Sequence, residues 1–287
     1  MRLVSFEVNG RQGFGILRGT EIADLSHRWP TIKAYLAAGN PGDAIREQES
    51  APRIPLEDVS LLPPVTDPNK IICVGLNYHG HAAEVGLKVP EYPSLFVRFP
   101  DAQVGHDQAV QRPAASEQFD FEGELAVVIG SPCRNVTSQD AMEHVAGYSC
   151  FADNSARDFQ RHSSQVTAGK NFTGSGSFGP WIVSADELPD LAALMLTTRL
   201  NGIEVQHDSL SNLIFSVPEL IEYISSFTEL LPGDVIATGT PAGVGMGRTP
   251  PLFMKAGDVL EVEISGIGVL SNVVEDASAT SHGRVVV

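Results

Sequence analysis

The sequence predicts an α+β protein that is mainly β, a mixed sandwich or barrel preceded by a small N-terminal domain. Three observations carry this. Short β-type runs recur from residue 70 onward: KIICVGL, SLFVRF, ELAVVIG, PWIVSA, LTTRLNGIEV, DVIATG and DVLEVEISGIGVL. Glycine and proline turns separate them, and helical stretches are few. The run LLPPVTDPNK (Leu61 to Lys70), with its three prolines, reads as a linker. It divides the chain near residue 68 into a small domain, 1–68, and a larger one, 69–287.

Taken in order, Leu3 to Val8 and Gly13 to Leu17 alternate as strands around Asn9-Gly10, a strong hairpin signal. A helical stretch, Ile32 to Ala38, precedes a polar segment from Gly39 to Pro52. In the larger part the clearest helices are Ser138 to Val145, with a serine cap and Asp140 in its first turn, and Val217 to Phe227.

Apolar residues make up 43% and charged residues 19% of 287, which suits a folded core and excludes disorder. The net charge of −16 repels phosphate backbones and anionic lipid, so neither nucleic acid nor membrane is an expected partner. No apolar run approaches the roughly 18 residues of a membrane span. The start, MRLVSFEVNG, lacks the apolar core of a signal peptide, and the scattered Cys73, Cys133 and Cys150 suit free thiols. A soluble, cytoplasmic protein is expected. An acidic chain that works on an acid must supply local positive charge, and a bound cation is the simplest source.

The segment DFEGELAVVIG (Asp120 to Gly130) is the most informative. Side chains two apart on a strand share a face, so Glu122 and Glu124 point together. A bare pair of this kind is usually a solvated face, but the strand runs on into the apolar stretch Leu125 to Ile129. Burial of two adjacent carboxylates calls for a hard cation: Mg²⁺, with Mn²⁺ and Ca²⁺ as alternatives. Asp153, at the end of the β-like run Gly147 to Ala152, is placed to be the third ligand or merely a helix cap.

In GLNYHGHAAEVG, a helical turn over His79 to Val85 would bring His81 and Glu84, three apart, into contact. A carboxylate beside an imidazole is a common device for activating water, and equally a common surface pair. Lys170 lies alone in the glycine-rich QVTAGKNFTGSGSFGPW, where it would meet a carboxylate or an enolate, or simply water. ATGTPAGVGMG, containing Gly239 and Thr240, offers backbone N–H groups and hydroxyls to an anion, or is a plain tight turn. It lacks the P-loop pattern, and no βαβ glycine fingerprint supports a nucleotide-dependent oxidoreductase.

The order of these pieces is more telling than any one of them. KIICVGLNYHGHAAEVG, DFEGELAVVIG, VAGYSCFADNSARD, AGKNF, NGIEVQ, PGDVIATGTPAGVG and GDVLEVEISGIGVLSN together resemble the fumarylacetoacetate hydrolase family from Lys70 to about Val274. The resemblance implies a mixed β-roll or sandwich, a homodimer, and a small-molecule 2-oxo acid substrate. It assigns Glu122, Glu124 and Asp153 as metal ligands, His81 and Glu84 as the water-activating dyad, and Lys170 as the active-site lysine. Thr240, with Gly239 beside it, would hold the substrate carboxylate.

One position departs. Related sequences commonly show Lys then Pro where Arg98 and Phe99 follow Val97 here, so Arg98 is expected to bind a carboxylate or a substrate hydroxyl. DFQRHSSQVTAGKNF also resembles the subgroup of acylpyruvate and 2,4-dioxo-3-deoxy sugar-acid hydrolases. The expected reaction is therefore Mg²⁺-dependent hydrolysis of a C–C bond in a 2,4-dioxo acid, giving pyruvate and a second acid. Enol–keto isomerisation or decarboxylation of a 2-oxo acid such as oxaloacetate is the alternative, and a metal-binding pseudoenzyme the non-enzymatic one.

Overall fold

In the computed structural model, residues 1–39, 41–84 and 86–278 are described. The fold is mainly β, as expected. Its larger sheet has twelve strands. Along the main path they run Arg53–Pro55, Glu21–Asp24, Arg11–Arg18, Arg2–Val8, Gly176–Ser184, Val145–Ala152, Gly123–Ile129, Val235–Ala237, Ile71–Gly75 and Ser94–Arg98. A five-stranded sheet packs against it, ordered Ile203–Ser209, Met195–Leu200, Val259–Ile264, Gly268–Asp276 and Val110–Arg112.

The expected hairpin closes at Val8↔Arg11, with Asn9 and Gly10 at φ 52° and 74°, the left-handed pair that a two-residue turn requires. The N-terminal segment keeps one small buried cluster of its own, Val4, Phe6, Leu17, Ile22 and Leu61, and shares another with the main sheet. Arg2 and Leu3 pair with Val183 and Ile182, which joins its hairpin to the main sheet. Phe14, Ile16, Trp29 and Tyr35 share one buried cluster with Cys73, Ala126, Val128 and Phe151.

The strand Gly123–Ile129 is buried at all seven positions and serves two cores at once. Leu125, Val127 and Ile129 join the cluster built with the five-stranded sheet, while Ala126 and Val128 join the cluster under the N-terminal segment. Each such side chain contributes about 1.5–3 kcal/mol of burial. That anchoring fixes where Glu122 and Glu124 emerge.

The helix Val217–Phe227 forms as expected and opens on a Ser216/Glu219 capping box. Ser138 to Val145 does not become a helix. Only a 3₁₀ turn, Ala141–His144, forms, because Val145 already pairs with Ile129 as a strand. His79–Glu84 is a six-residue helix, and Val85, expected at its end, lies outside the described residues, as do 279–287 of the larger domain.

Candidate metal centre and acid–base pair

Glu122, Glu124 and Asp153 meet at the end of the main sheet. Strand alternation puts both glutamates on one side, and the antiparallel neighbour brings Phe151 opposite Glu124. Asp153 follows that neighbour, its N–H bonded to the Glu122 carbonyl at 2.9 Å. All three are buried, each offering an oxygen within 4.8 Å of the others.

Three buried cations surround them. Lys170 Nζ lies 2.6 Å from Glu122 Oε2 and 2.6 Å from Asp153 Oδ2. Arg157 reaches Glu122 Oε1 at 2.7 Å and donates through Nε to Asp120 Oδ2 at 2.8 Å. Arg98 donates to Asp153 Oδ1 at 2.6 Å, to the Asn154 carbonyl and to Ser175 Oγ. Glu124 stands apart, its carboxylate held by the Gly239 N–H at 2.8 Å.

The electrostatics follow from this geometry. Burial would push the Glu122 carboxyl up, but Lys170 and Arg157, with His81, hold it down to about 2. Burial pushes Glu124 well above the carboxylate range, and Asp153 and Glu122 add to the push. Burial opposes charge on Lys170 as well, and Asp153 and Glu122 overcome it, so its ammonium is held above its ordinary value.

Four carboxylates, counting Asp120, thus face three cations, so ionising Glu124 would leave one negative charge uncompensated, which is why its carboxyl is pushed up. An all-oxygen set with excess negative charge in a buried pocket fits a hard divalent cation. Glu122, Glu124 and Asp153 are the residues that would hold it.

The helix His79–Glu84 puts His81 Nδ1 3.3 Å from Glu84 Oε2. The Gly243 N–H donates to both Glu84 oxygens, at 3.0 and 3.2 Å. His81 lines a cavity of about 390 Å³ together with Glu122, Glu124, Asp153, Lys170 and Thr240. A larger cavity of about 770 Å³ lies beside Leu56, His106 and Trp181, and none of the carboxylate cluster lines it. The smaller one is where the chemistry converges.

Two expected substrate contacts fall elsewhere. Arg98 has a wholly buried side chain and does not line the cavity; of the two roles open to its fork, it takes the carboxylate, that of Asp153. Gly239 turns its N–H to Glu124 rather than to the cavity. Its φ of 104° and the 2.7 Å that an added Cβ would leave to Asn77 explain why glycine stands there. Thr240 does line the cavity, with its hydroxyl donating to the Gly123 carbonyl at 3.0 Å and accepting from Gln206 at 2.8 Å.

The structure adds residues that the sequence did not single out. Arg157 and Gln160 line the cavity, joined by a 2.9 Å hydrogen bond, and Arg157 Nη2 is buried without a partner. Asp120 sits fully buried behind them. It ends a separate short strand, Phe119–Asp120, two residues before Glu122.

The chain matches other proteins over most of its length. Residues 70–275 fit the family model described as fumarylacetoacetate (FAA) hydrolase C-terminal. A mitochondrial oxaloacetate tautomerase of Xenopus laevis is 38% identical, covering 95% of this chain and 89% of the relative. A fumarylacetoacetate hydrolase structure from Exiguobacterium antarcticum superposes with a TM-score of 0.87 at 37% identity, covering 96% of this chain and all of that one. A maleylpyruvate hydrolase from Sphingobium, in complex with manganese(II) and pyruvate, superposes at 0.81 with 31% identity, covering 96% of this chain and 100% of its own. A buried carboxylate triad on this sheet, matched from residue 70 to 275, places the chain in the fumarylacetoacetate hydrolase family.

Proposed function

We propose that this chain is a metal-dependent enzyme that interconverts the enol and keto forms of a small 2-oxo acid of the oxaloacetate type. The observation that carries the reading is one acid–base pair, His81–Glu84, whose imidazole lines the same small cavity as the carboxylate triad. Tautomerisation needs no more than that: one group to carry a proton between carbon and oxygen, and a fixed positive field at the oxygen. The similarity to the Xenopus tautomerase across nearly the whole chain supports it.

A divalent cation, Mg²⁺ in our reading with Mn²⁺ or Ca²⁺ as alternatives, would supply Lewis-acid polarisation of the 2-oxo oxygen. The chain's own residues do the rest. Glu122, Glu124 and Asp153 fix the position of that field, and Lys170 and Arg98 keep Asp153 aimed. His81 carries the proton between the carbon beside the oxo group and the 2-oxo oxygen, taking it from one and delivering it to the other, with Glu84 orienting the ring, a role worth roughly 10²–10⁴-fold. Arg157 and Gln160 lie where a substrate carboxylate would seat, and Leu87, Leu95, Phe96 and Met246 give the cavity an apolar side.

Hydrolysis of a C–C bond in a 2,4-dioxo acid is the second reading. The same dyad would activate a water, and the likeness to a maleylpyruvate hydrolase that binds manganese(II) and pyruvate favours it. A homodimer in the cytoplasm is our working form. Three free, buried cysteines fit a reducing compartment. Among the described residues, no helix is long and apolar enough to cross a membrane.

The deciding experiment follows decay of enolic oxaloacetate, and pyruvate release from acylpyruvates and 2,4-dioxo-3-deoxy sugar acids, with Mg²⁺ and with EDTA. Mg²⁺-dependent enol decay with the dioxo acids left intact is the expected result. Pyruvate release with oxaloacetate untouched would move the function to hydrolysis. Silence on both, with metal still bound, would leave a pseudoenzyme.

A further inference from the structure

We infer that the glycine-rich segment 239–246 ties the metal-ligand half of the site to the acid–base half through its backbone N–H groups, with Asp120 as the positioning residue that holds it in place. The sequence offers this segment as an anion-binding loop or a plain tight turn. The anions it binds are the chain's own carboxylates.

Gly239 N donates to the metal-site residue Glu124 at 2.8 Å. Four residues on, Gly243 N donates to Glu84 of the dyad at 3.0 Å. Next, Gly245 N and Met246 N donate to the two oxygens of Asp120 at 2.7 and 3.0 Å. Asp120 also accepts from Phe121 N at 2.8 Å and from Arg157 Nε at 2.8 Å. Arg157 in turn is paired with Glu122. The path closes from Glu124, through the loop to Glu84 and to Asp120, and back through Arg157 to Glu122.

The glycines are there because the backbone must touch these acids. A Cβ at 243 would stand 2.1 Å from the Val205 carbonyl, with φ at 108°. At 245 it would meet the Leu252 carbonyl at 1.8 Å and Asp120 Oδ1 at 2.5 Å, and at 247 it would meet the Glu84 carboxylate at 2.7 Å. Asp120 is fully buried and four donors converge on it, so it is a site that only an acceptor on both oxygens satisfies. Asparagine would turn an N–H₂ group toward two of those donors, either at Arg157 and Met246 or at Phe121 and Gly245. The loop would lose one of its two anchors, and the Gly243 N–H would move off Glu84.

This inference rests on the reading in which His81 and Glu84 handle the proton, and its test separates the two. In Asp120→Asn, kcat should fall about 10–100-fold, as for other outer partners of a site, while Mn²⁺ Kd and substrate KM stay within about threefold. In a Glu84→Gln background the same substitution should change kcat by less than about threefold, because its effect runs through Glu84. A parallel loss of Mn²⁺ affinity and kcat, or full additivity with Glu84→Gln, would overturn the assignment.

Should Asp120→Asn not fold, hydrogen exchange in the unaltered protein answers the question without any activity. The Gly239, Gly243 and Gly245 amides should exchange as one unit and slow together when Mn²⁺ binds. Exchange of Gly243 independent of Gly245 and indifferent to Mn²⁺ would refute the loop as a tie. Coupled exchange with an active His81→Ala variant would instead leave the tie standing and sink the proton-transfer reading.

Discussion

The carboxylate triad and the imidazole of the His81–Glu84 pair line one cavity, but the first sits at the end of a strand buried at all seven positions and the second rides on a six-residue helix. Glu122 and Asp153 each meet two cations, so their positions are determined several times over. Glu84 is held by its neighbour His81 and by the Gly243 N–H, and its side chain remains 18% exposed. On the proposed reading, the half that would bind a cation is built rigid, and the half that would exchange a proton is built to be adjustable. The two are joined by a backbone loop rather than by side chains, which lets one half move a little without dismantling the other.

Breaking the rigid half should give the largest effect. Glu122→Ala removes one metal ligand and leaves Lys170 and Arg157 short of a partner. Mn²⁺ affinity should fall by at least about a hundredfold, since even outer partners of a metal site are typically worth 10–100-fold, and activity should go with it. Calorimetric titration with Mn²⁺ measures this directly, and a metal-replete mutant would refute the ligand set. Breaking the adjustable half should separate the two functions. His81→Ala is expected to keep its Mn²⁺ affinity and lose about 10²–10⁴-fold in kcat, and an unimpaired mutant would deprive the pair of its role.

The two halves also differed in how far the sequence disclosed them. Glu122 and Glu124 were legible because strand alternation is local and the apolar run after them announced burial. The dyad was legible from a spacing of three. Arg98 and Gly239 were assigned to the substrate, yet they serve Asp153 and Glu124, because which way a side chain or an N–H points depends on chain far away in sequence. Asp120 and Arg157 went unnoticed for the same reason, being partnered across 37 residues. In the fold, the Asn9-Gly10 hairpin was readable as a turn, but its attachment to residues 182–183 was not. A long-range strand pairing leaves no local trace, and neither does the buried cluster that residues on both sides of the proline-rich run share.

Arg98 offers a sharper probe of the rigid half. Replacing it by Met leaves the buried carboxylate of Asp153 with Lys170 as its remaining cationic partner. Removing one member of a buried pair typically costs about 3–5 kcal/mol. Thermal unfolding of the metal-free mutant should show that loss, and added Mn²⁺ should recover part of it by neutralising Asp153. A mutant as stable as the parent would mean that the Arg98 contacts do not anchor the triad.

The smallest effect, and the most diagnostic, concerns Glu124. Its charge is the uncompensated one, so Glu124→Gln should stabilise the metal-free protein, where Glu122→Ala should not. The sign follows from the pKa directions. A folded carboxyl raised above its unfolded value contributes fully below the unfolded pKa, and that contribution is lost as pH rises through the folded value. Glu124 is of this kind, so the advantage of glutamine should be absent below about pH 4 and present at neutral pH. Glu122 is depressed to about 2 and behaves oppositely, its contribution present above its unfolded value and lost as pH falls toward 2. At pH 7 in EDTA, relieving a penalty of about 1–2 kcal/mol would raise Tm by about 2–8 °C for a chain of this size. Added Mn²⁺ should reverse the order, stabilising the parent and not the mutant. If glutamine instead lowers the metal-free Tm, the spare negative charge is not a cost, and the case for a cation resting on that charge falls with it.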